Sequence, residues 1–225
     1  MTTARHAPGR AKLADSLEHG PGTELLLVEG DSALASVCAV RDERRQAVLA
    51  FQGKPLNAWQ ASATRVAAHA QYRLLAEALG LPSAVAPLDA AAVKGLRFER
   101  LALLLDPDAD GIHIGALLVL YVQRWWPALI DEGRLWMLRA PMFELVAADT
   151  GELRHADHPA QCQALAAQMA QASGGQAPRI LAHRGLGSIA PAVLRERCVD
   201  PATRVGHALT PAEVQAVISV FAQAG

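Results

Sequence analysis

Cysteine is scarce in this chain: three residues, at 38, 162 and 198, with no CxxC pair. That excludes a disulfide framework, argues against a structural zinc site and fits a reducing cytoplasm. Long apolar runs are also missing. The longest uncharged apolar stretch, Ile112 to Gln123, contains His113 and is far too short to cross a bilayer, and the opening MTTARHAPGRAKLADS has no apolar core of a secretory leader. Neither GxxxxGK[ST] nor GxGxxG occurs, so no Walker-type or dinucleotide phosphate loop is expected. Nor is there an excess of positive charge. The 21 basic and 22 acidic residues leave a net charge of -1, which argues against coating nucleic acid through bulk charge while leaving room for a local basic face. What the chain does have is apolar content: 52% of its 225 residues, ample for a packed core in one or two domains and incompatible with disorder.

The pattern along the chain alternates. Residues 1–22 read as a polar N-terminal arm. Glu24 to Gly30 is a short apolar run ending in a carboxylate and a glycine, the profile of a buried parallel strand, and Asp31 or Ser32 can cap the helix that follows from Ala33 to Val40. Ala47 to Phe51 predicts a second strand, Gln52 to Asn57 a turn, and Ala58 to Leu79 one long helix ended by Gly80. Leu81 to Val93 reads as a connection with room for a short helix. Leu101 to Leu105 repeats the strand pattern and runs into Asp106-Pro107-Asp108-Ala109-Asp110-Gly111, after which Ile112 to Trp126 is apolar nearly all round, as in a helix buried between layers. A short helix between Pro127 and Gly133 and a strand from Arg134 to Leu138 follow. This alternation predicts an α/β fold with a mostly parallel sheet over residues 23–146. Residues 147–225 form a small, mainly helical tail: a helix over Pro159 to Ala172, a Ser-Gly-Gly linker, a short strand near Arg179 to His183, and two further helical segments.

Two apolar runs thus end in acid, Glu29 after one and Asp106, Asp108 and Asp110 after the other. In an open α/β sheet ligands bind beyond the carboxyl ends of the strands, so both runs deliver carboxylates to one crevice. Four carboxylates repel one another unless a cation joins them, and an all-oxygen set favours magnesium. Two other readings compete. The phrase DPDADG opens like an EF-hand loop, but the twelfth position, where a bidentate Glu belongs, is Leu117. A solvated acidic turn capping a helix would also account for DxDxDG taken alone.

Ordered motifs then bring in a family. Glu29-Gly30-Asp31-Ser32-Ala33, Gln46-Ala47, Gly53-Lys54-Pro55-Leu56-Asn57 and Asp106 to Ile114 resemble the Toprim motifs of the B subunits of bacterial DNA gyrase and topoisomerase IV. Lys12 to Asp15 resembles the segment leading into that domain, and Arg139-Ala140-Pro141-Met142-Phe143 the strand after its buried helix. Arg184-Gly185-Leu186-Gly187 and Asp200-Pro201-Ala202-Thr203-Arg204 resemble the family's C-terminal tail. The resemblance implies a Toprim, Rossmann-like fold. It also implies Mg2+ bound by Glu29, Asp106 and Asp108, with Asp110 as a ligand or support, and Glu29 as the general acid or base for a 3′ oxygen. Lys54 and Asn57 match positions that approach DNA. The implied partners are DNA, an A-type subunit carrying the cleaving tyrosine, and a separate ATPase, because the ATPase and transducer domains of the family's B subunits do not fit before Leu25.

The chain departs from the pattern in places. Leu34-Ala35 replace a glycine pair, Gln52 replaces a basic residue, Gly115 replaces an arginine, and a glycine-rich stretch after Gly80 is lost. Two of these changes remove positive charge near the DNA path, which predicts weaker phosphate binding. Three functions follow: a stand-alone Toprim module of a type II topoisomerase in the cytoplasm, a metal-dependent nuclease, or a non-catalytic protein that docks on DNA or an A-type subunit. Arg41, Arg44 and Arg45 read equally as a phosphate-contacting face or a solvated run. His113 reads as a hydrogen-bonded residue at a helix start; His155, His158 and Cys162 lack a fourth metal ligand; Trp125, Trp126 and Trp136 read as packing.

Overall fold

A computed structural model describes residues 13–222. The main sheet is built from β1 (Leu13–Ala14), β2 (Gly20–Glu29), β3 (Gln46–Phe51), β4 (Phe98–Leu103), β5 (Leu135–Leu138) and β9 (Gly206–Ala208), in the spatial order β1-β3-β2-β4-β5-β9. The four central strands are parallel, and β1 and β9 close the edges antiparallel. The α/β architecture expected from the sequence is therefore observed. The connection from β2 through α1 (Gly30–Cys38) leads to one side of the sheet, and that from β4 through α5 (Ala109–Trp125) and α6 (Ala128–Asp131) leads to the other. Strand order thus reverses between β2 and β4. Their carboxyl ends flank the crevice where sheets of this kind bind ligands.

Alternate residues of the strands feed two cores. Leu25, Leu27, Leu49, Leu101 and Leu103 pack on one face with α5, α6, α2 (Ala63–Ala68), α3 (Ala70–Leu79) and α9 (Pro211–Phe221). Leu26, Val28, Val48, Ala102 and Leu104 pack on the other with α1 and with Leu186, Leu194, Cys198 and Val199 of the tail. The tail is therefore part of the second core rather than an appendage. It also contributes β9 to the main sheet, and β7 (Leu153–Ala156) and β8 (Arg179–Ala182) to a second sheet ordered β7-β6-β8 around β6 (Phe143–Val146). The expected division after residue 146 falls at the end of β6, inside a hairpin. Helices are present as predicted: α7 (Pro159–Ala172), α8 (Pro191–Leu194) continued by a π-helical turn over Arg195–Val199, and α9.

Several expectations are corrected. The helix predicted over Ala58 to Leu79 is two helices broken at His69, whose backbone is extended (φ -71°, ψ 122°). Residues 57–61 form a turn instead, with the Asn57 Oδ1 accepting from the Trp59 amide at 3.1 Å and Arg124 of α5 donating to the carbonyls of Ala58, at 2.7 Å, and Ala61, at 3.0 Å. No proline or glycine marks the break at His69, and Arg124 holds the separate turn ahead of α2. Gly80 ends α3 in the left-handed conformation, φ 80°, as predicted. Residues 139–142 connect β5 to β6 instead of forming a strand. Within the expected N-terminal arm, Leu13–Ala14 is a strand paired with β3 and β2 already begins at Gly20; positions 1–12, Lys12 included, lie outside the described residues. Arg41 donates to the carbonyls of Ala14, at 3.0 Å, and Asp15, at 2.9 Å, while Arg44 and Arg45 pair with Glu18. This basic run fastens the segment from Ala14 to Glu18. Among the described residues no helix is long and apolar enough to cross a membrane.

Candidate functional site

Glu29 is the last residue of β2 and stands at the N-cap position of α1, yet its side chain makes no capping hydrogen bond. Gly30 supplies the turn from strand to helix at φ 75°, a conformation that disfavours other residues. Beyond β4, Asp106 and Asp108 lead into α5. Asp108 caps that helix by accepting the Gly111 amide at 2.9 Å, and Asp110 lies in its first turn. The chain is so tight here that a Cβ at Gly111 would fall 2.1 Å from the Asp106 carbonyl oxygen. All four predicted acids therefore reach the carboxyl ends of the two strands that flank the switch point.

Each acid already has different company. Asp106 accepts the Leu186 amide at 2.9 Å, Asp108 is engaged as the cap, and the exposed Asp110 pairs with the Lys54 ammonium at 2.8 Å. Glu29 Oε2 is buried with no hydrogen-bond partner. Burial first, then the charges of Asp106, Asp108 and Asp110, push the Glu29 carboxyl above the usual carboxylate range against the opposing effect of Lys54. Burial and the neighbouring Asp108 raise Asp106 despite the Leu186 amide. Lys54 holds Asp110 low. Among the described residues no three His, Cys, Asp or Glu side chains are gathered into a ready metal cage. The acidic set is brought to one face but remains partly committed to protein donors. Cavities of about 350 Å³, beside Arg41 and Arg195, and about 250 Å³, beside Asp149 and Arg154, lie away from these acids. An orphaned carboxylate oxygen among like charges, with oxygen donors only, suits a hard divalent cation.

Against this geometry, the family model for the Toprim domain matches residues 24–139. The chain belongs to the Toprim family. This Toprim chain is 33% identical over 182 residues to the B subunit of DNA topoisomerase 4 from Haemophilus influenzae, covering 81% of the chain and 27% of that relative. It is 34% identical over 194 residues to the corresponding protein of Caulobacter vibrioides, with 86% and 27% covered. To the B subunit of DNA gyrase from Thermus thermophilus it is 31% identical over 198 residues, with 86% and 30% covered. The chain thus spans about three-tenths of the length of the curated relatives it matches. A Plasmodium falciparum topoisomerase II DNA-binding, cleavage and re-ligation domain shares the fold, with a TM-score of 0.69 at 22% identity, covering 85% of this chain and 26% of that one.

The remaining predicted residues separate into site and scaffold. Lys54 stands beside Asp110 with its side chain about half exposed, whereas Asn57 is half-buried and uses its carbonyl oxygen to close the 57–61 turn. Gln52 donates to Asp31 at 2.9 Å on the surface, and the space beside Gly115 is filled by Leu105 and Met137. His113 lies near Phe221 of α9, with ring centroids 6.0 Å apart, and His158 caps α7 by accepting the Gln161 amide. Trp126 is fully buried, and Trp136 has Arg100 and Arg204 within 5.0 and 5.8 Å of its ring. The chain's two tyrosines, Tyr72 and Tyr121, are fully buried and stacked on each other with centroids 4.0 Å apart, their hydroxyls held by the Leu56 and Ala84 carbonyls. Neither is available as a nucleophile. Sequence reasoning gave no role to Leu186, although the G-L-G spacing around it was the available signal.

Proposed function

We propose that this Toprim chain provides the acidic, Mg2+-binding half of a type II topoisomerase cleavage site. It would act in the cytoplasm on DNA together with an A-type subunit that carries the cleaving tyrosine. The observation behind this reading is the delivery of Glu29 and the Asp106, Asp108 and Asp110 set to the switch point between β2 and β4. Glu29, Asp106 and Asp108 would hold the cation, with Asp110 supporting them from its pair with Lys54. When bound, Mg2+ would polarise phosphoryl oxygens and offset charge on a leaving 3′ oxygen. Glu29 suits proton exchange with that oxygen, because its Oε2 has no hydrogen-bond partner in the protein. Lys54, beside the acids, would meet the DNA backbone, and the Asn57 turn would shape that approach. The nucleophile comes from another chain in this reading, since Tyr72 and Tyr121 are core residues.

The test is cleavage of supercoiled DNA by the chain plus a cognate A-type subunit across a Mg2+ titration. DNA ends covalently linked to protein are expected. Their absence, where an ordinary B-type subunit succeeds with the same partner, overturns the proposal. Protein-free nicks made by the chain alone and lost in Asp108→Ala would indicate a nuclease. The committed state of the carboxylates favours one further reading, a non-catalytic docking module. Its signature is binding to the A-type subunit that survives Asp106→Ala with no cleavage by the wild type.

A further inference from the structure

Resting on the cation reading above, we infer that the tail segment Gly185–Leu186 is the positioning element for Asp106, so that the tail itself sets the geometry of the acidic face. The Leu186 amide donates to Asp106 Oδ1 at 2.9 Å across 80 residues of sequence. Gly185 lies against the other oxygen: a Cβ there would fall 2.5 Å from Asp106 Oδ2 and 3.0 Å from Cγ. The backbone at Gly185 is extended, φ 165° and ψ 172°, a conformation open to any residue. Glycine is therefore required at 185 by lack of space and not by its dihedral angles. Any side chain would turn the Asp106 carboxylate away or block the approach to Oδ2.

The loop is anchored independently of the acid. Leu186 is fully buried in the core that includes Ala33, Leu34 and Val37 of α1, and a Cβ at Gly187 would fall 2.6 Å from the Ser32 hydroxyl. The Ser188 hydroxyl donates to the Gly185 carbonyl at 2.7 Å and accepts the Arg184 amide at 3.2 Å, closing the turn. One short segment thus touches both the helix that follows Glu29 and the carboxylate that follows β4. It holds the two halves of the acidic set in register, and it does so from a part of the chain that contributes no acid.

The experiment titrates Mn2+ alone into the full chain at neutral pH and reads bound ion by electron paramagnetic resonance. Circular dichroism and thermal melting report the fold of each variant. Gly185→Ala is expected to weaken Mn2+ binding by roughly tenfold or more, the scale seen when groups that orient metal ligands are lost. Ser188→Ala, which adds no atom near the acids, is expected to weaken it by a smaller factor, and Gly95→Ala, at a glycine whose added Cβ would meet only the Ala92 carbonyl at 3.5 Å, is expected to bind as wild type does. Should Gly185→Ala fail to fold, Ser188→Ala decides. Wild-type affinity in the deciding variant overturns this inference and leaves the proposed function standing. A wild type that binds no Mn2+ at millimolar concentration overturns both.

Discussion

Strand β2 holds one glutamate within its buried run and another at its end, and the two are treated in opposite ways. Glu24 is 3% exposed and fully partnered: Arg204 meets it with both terminal nitrogens, at 2.7 Å for the longer-reaching Nη2 to Oε2 contact, and the Gln46 amide adds a third bond at 2.6 Å. Gln46 also donates to the Val199 carbonyl at 2.8 Å, so the cluster ties the strand to the tail. Glu29 has an oxygen with no partner and three aspartates near enough to raise its pKa. A buried charge that is paired and hydrogen-bonded is structural. A carboxylate left among its own kind at a sheet's switch point is kept at a cost to stability, which is what a site for a cation requires.

This contrast is most easily broken at the Glu24 end. Arg204→Ala leaves an uncompensated buried carboxylate and is expected to cost about 3–5 kcal/mol, seen as a fall in melting temperature of roughly 10 °C for a chain of this size. A loss below about 1 kcal/mol would mean that the pair is solvated and the contrast false.

At the other end the sign reverses with added cation. Mg2+ at ten times its dissociation constant should stabilise the chain by about 1.4 kcal/mol. The effect should depend on pH, because Glu29 and Asp106 have pKa values raised from 4.5 and 3.8 respectively. Groups raised in the folded state bind more protons folded than unfolded, so their contribution is present below those ordinary values and is lost as pH rises through the folded ones. Without Mg2+, stability from these two groups should decline on going from about pH 4 upward, and Mg2+ should restore it near pH 7.5 while doing nothing at pH 4. Thermal melts at the two pH values, with and without the ion, give the answer.

Glu29→Gln should be smaller still, a gain of at most about 1 kcal/mol at neutral pH because water screens a partly exposed site, together with loss of the Mg2+ response. A destabilised Gln variant would show that the carboxylate has a favourable partner after all. Lys54→Ala should leave the melting temperature unchanged, since its pair with Asp110 is exposed. Its effect should appear instead in DNA binding, as a salt dependence shallower by about one unit on a logarithmic plot.

Much of the site was legible because it is built from local signals. The runs that end at Glu29 and before Asp106 are buried strands whose residues alternate between two cores, and Asp108 caps α5 where a run of acid meets an apolar helix. The break at His69 was invisible, because residues 58–79 carry helix-compatible side chains throughout, and so was the turn at residues 58–61, which Arg124 holds by reaching across from α5. The basic run at Arg41, Arg44 and Arg45 was ambiguous for the same reason. Its partners, Ala14, Asp15 and Glu18, belong to a segment whose strand of two residues is too short to leave a periodic trace.

The sequence by itself determined most of the elements and the chemistry: an α/β alternation, two strands ending in acid, and a set of oxygen donors brought by them. Only the tertiary structure decided how those donors are held. Asp106 meets Leu186 across 80 residues and Glu24 meets Arg204 across 180, pairings that no local period encodes. Apolar spacing and helix caps act over a few residues and can be read along the chain. Which charge is neutralised and which is left exposed to its neighbours depends on what the folded tail brings against the sheet.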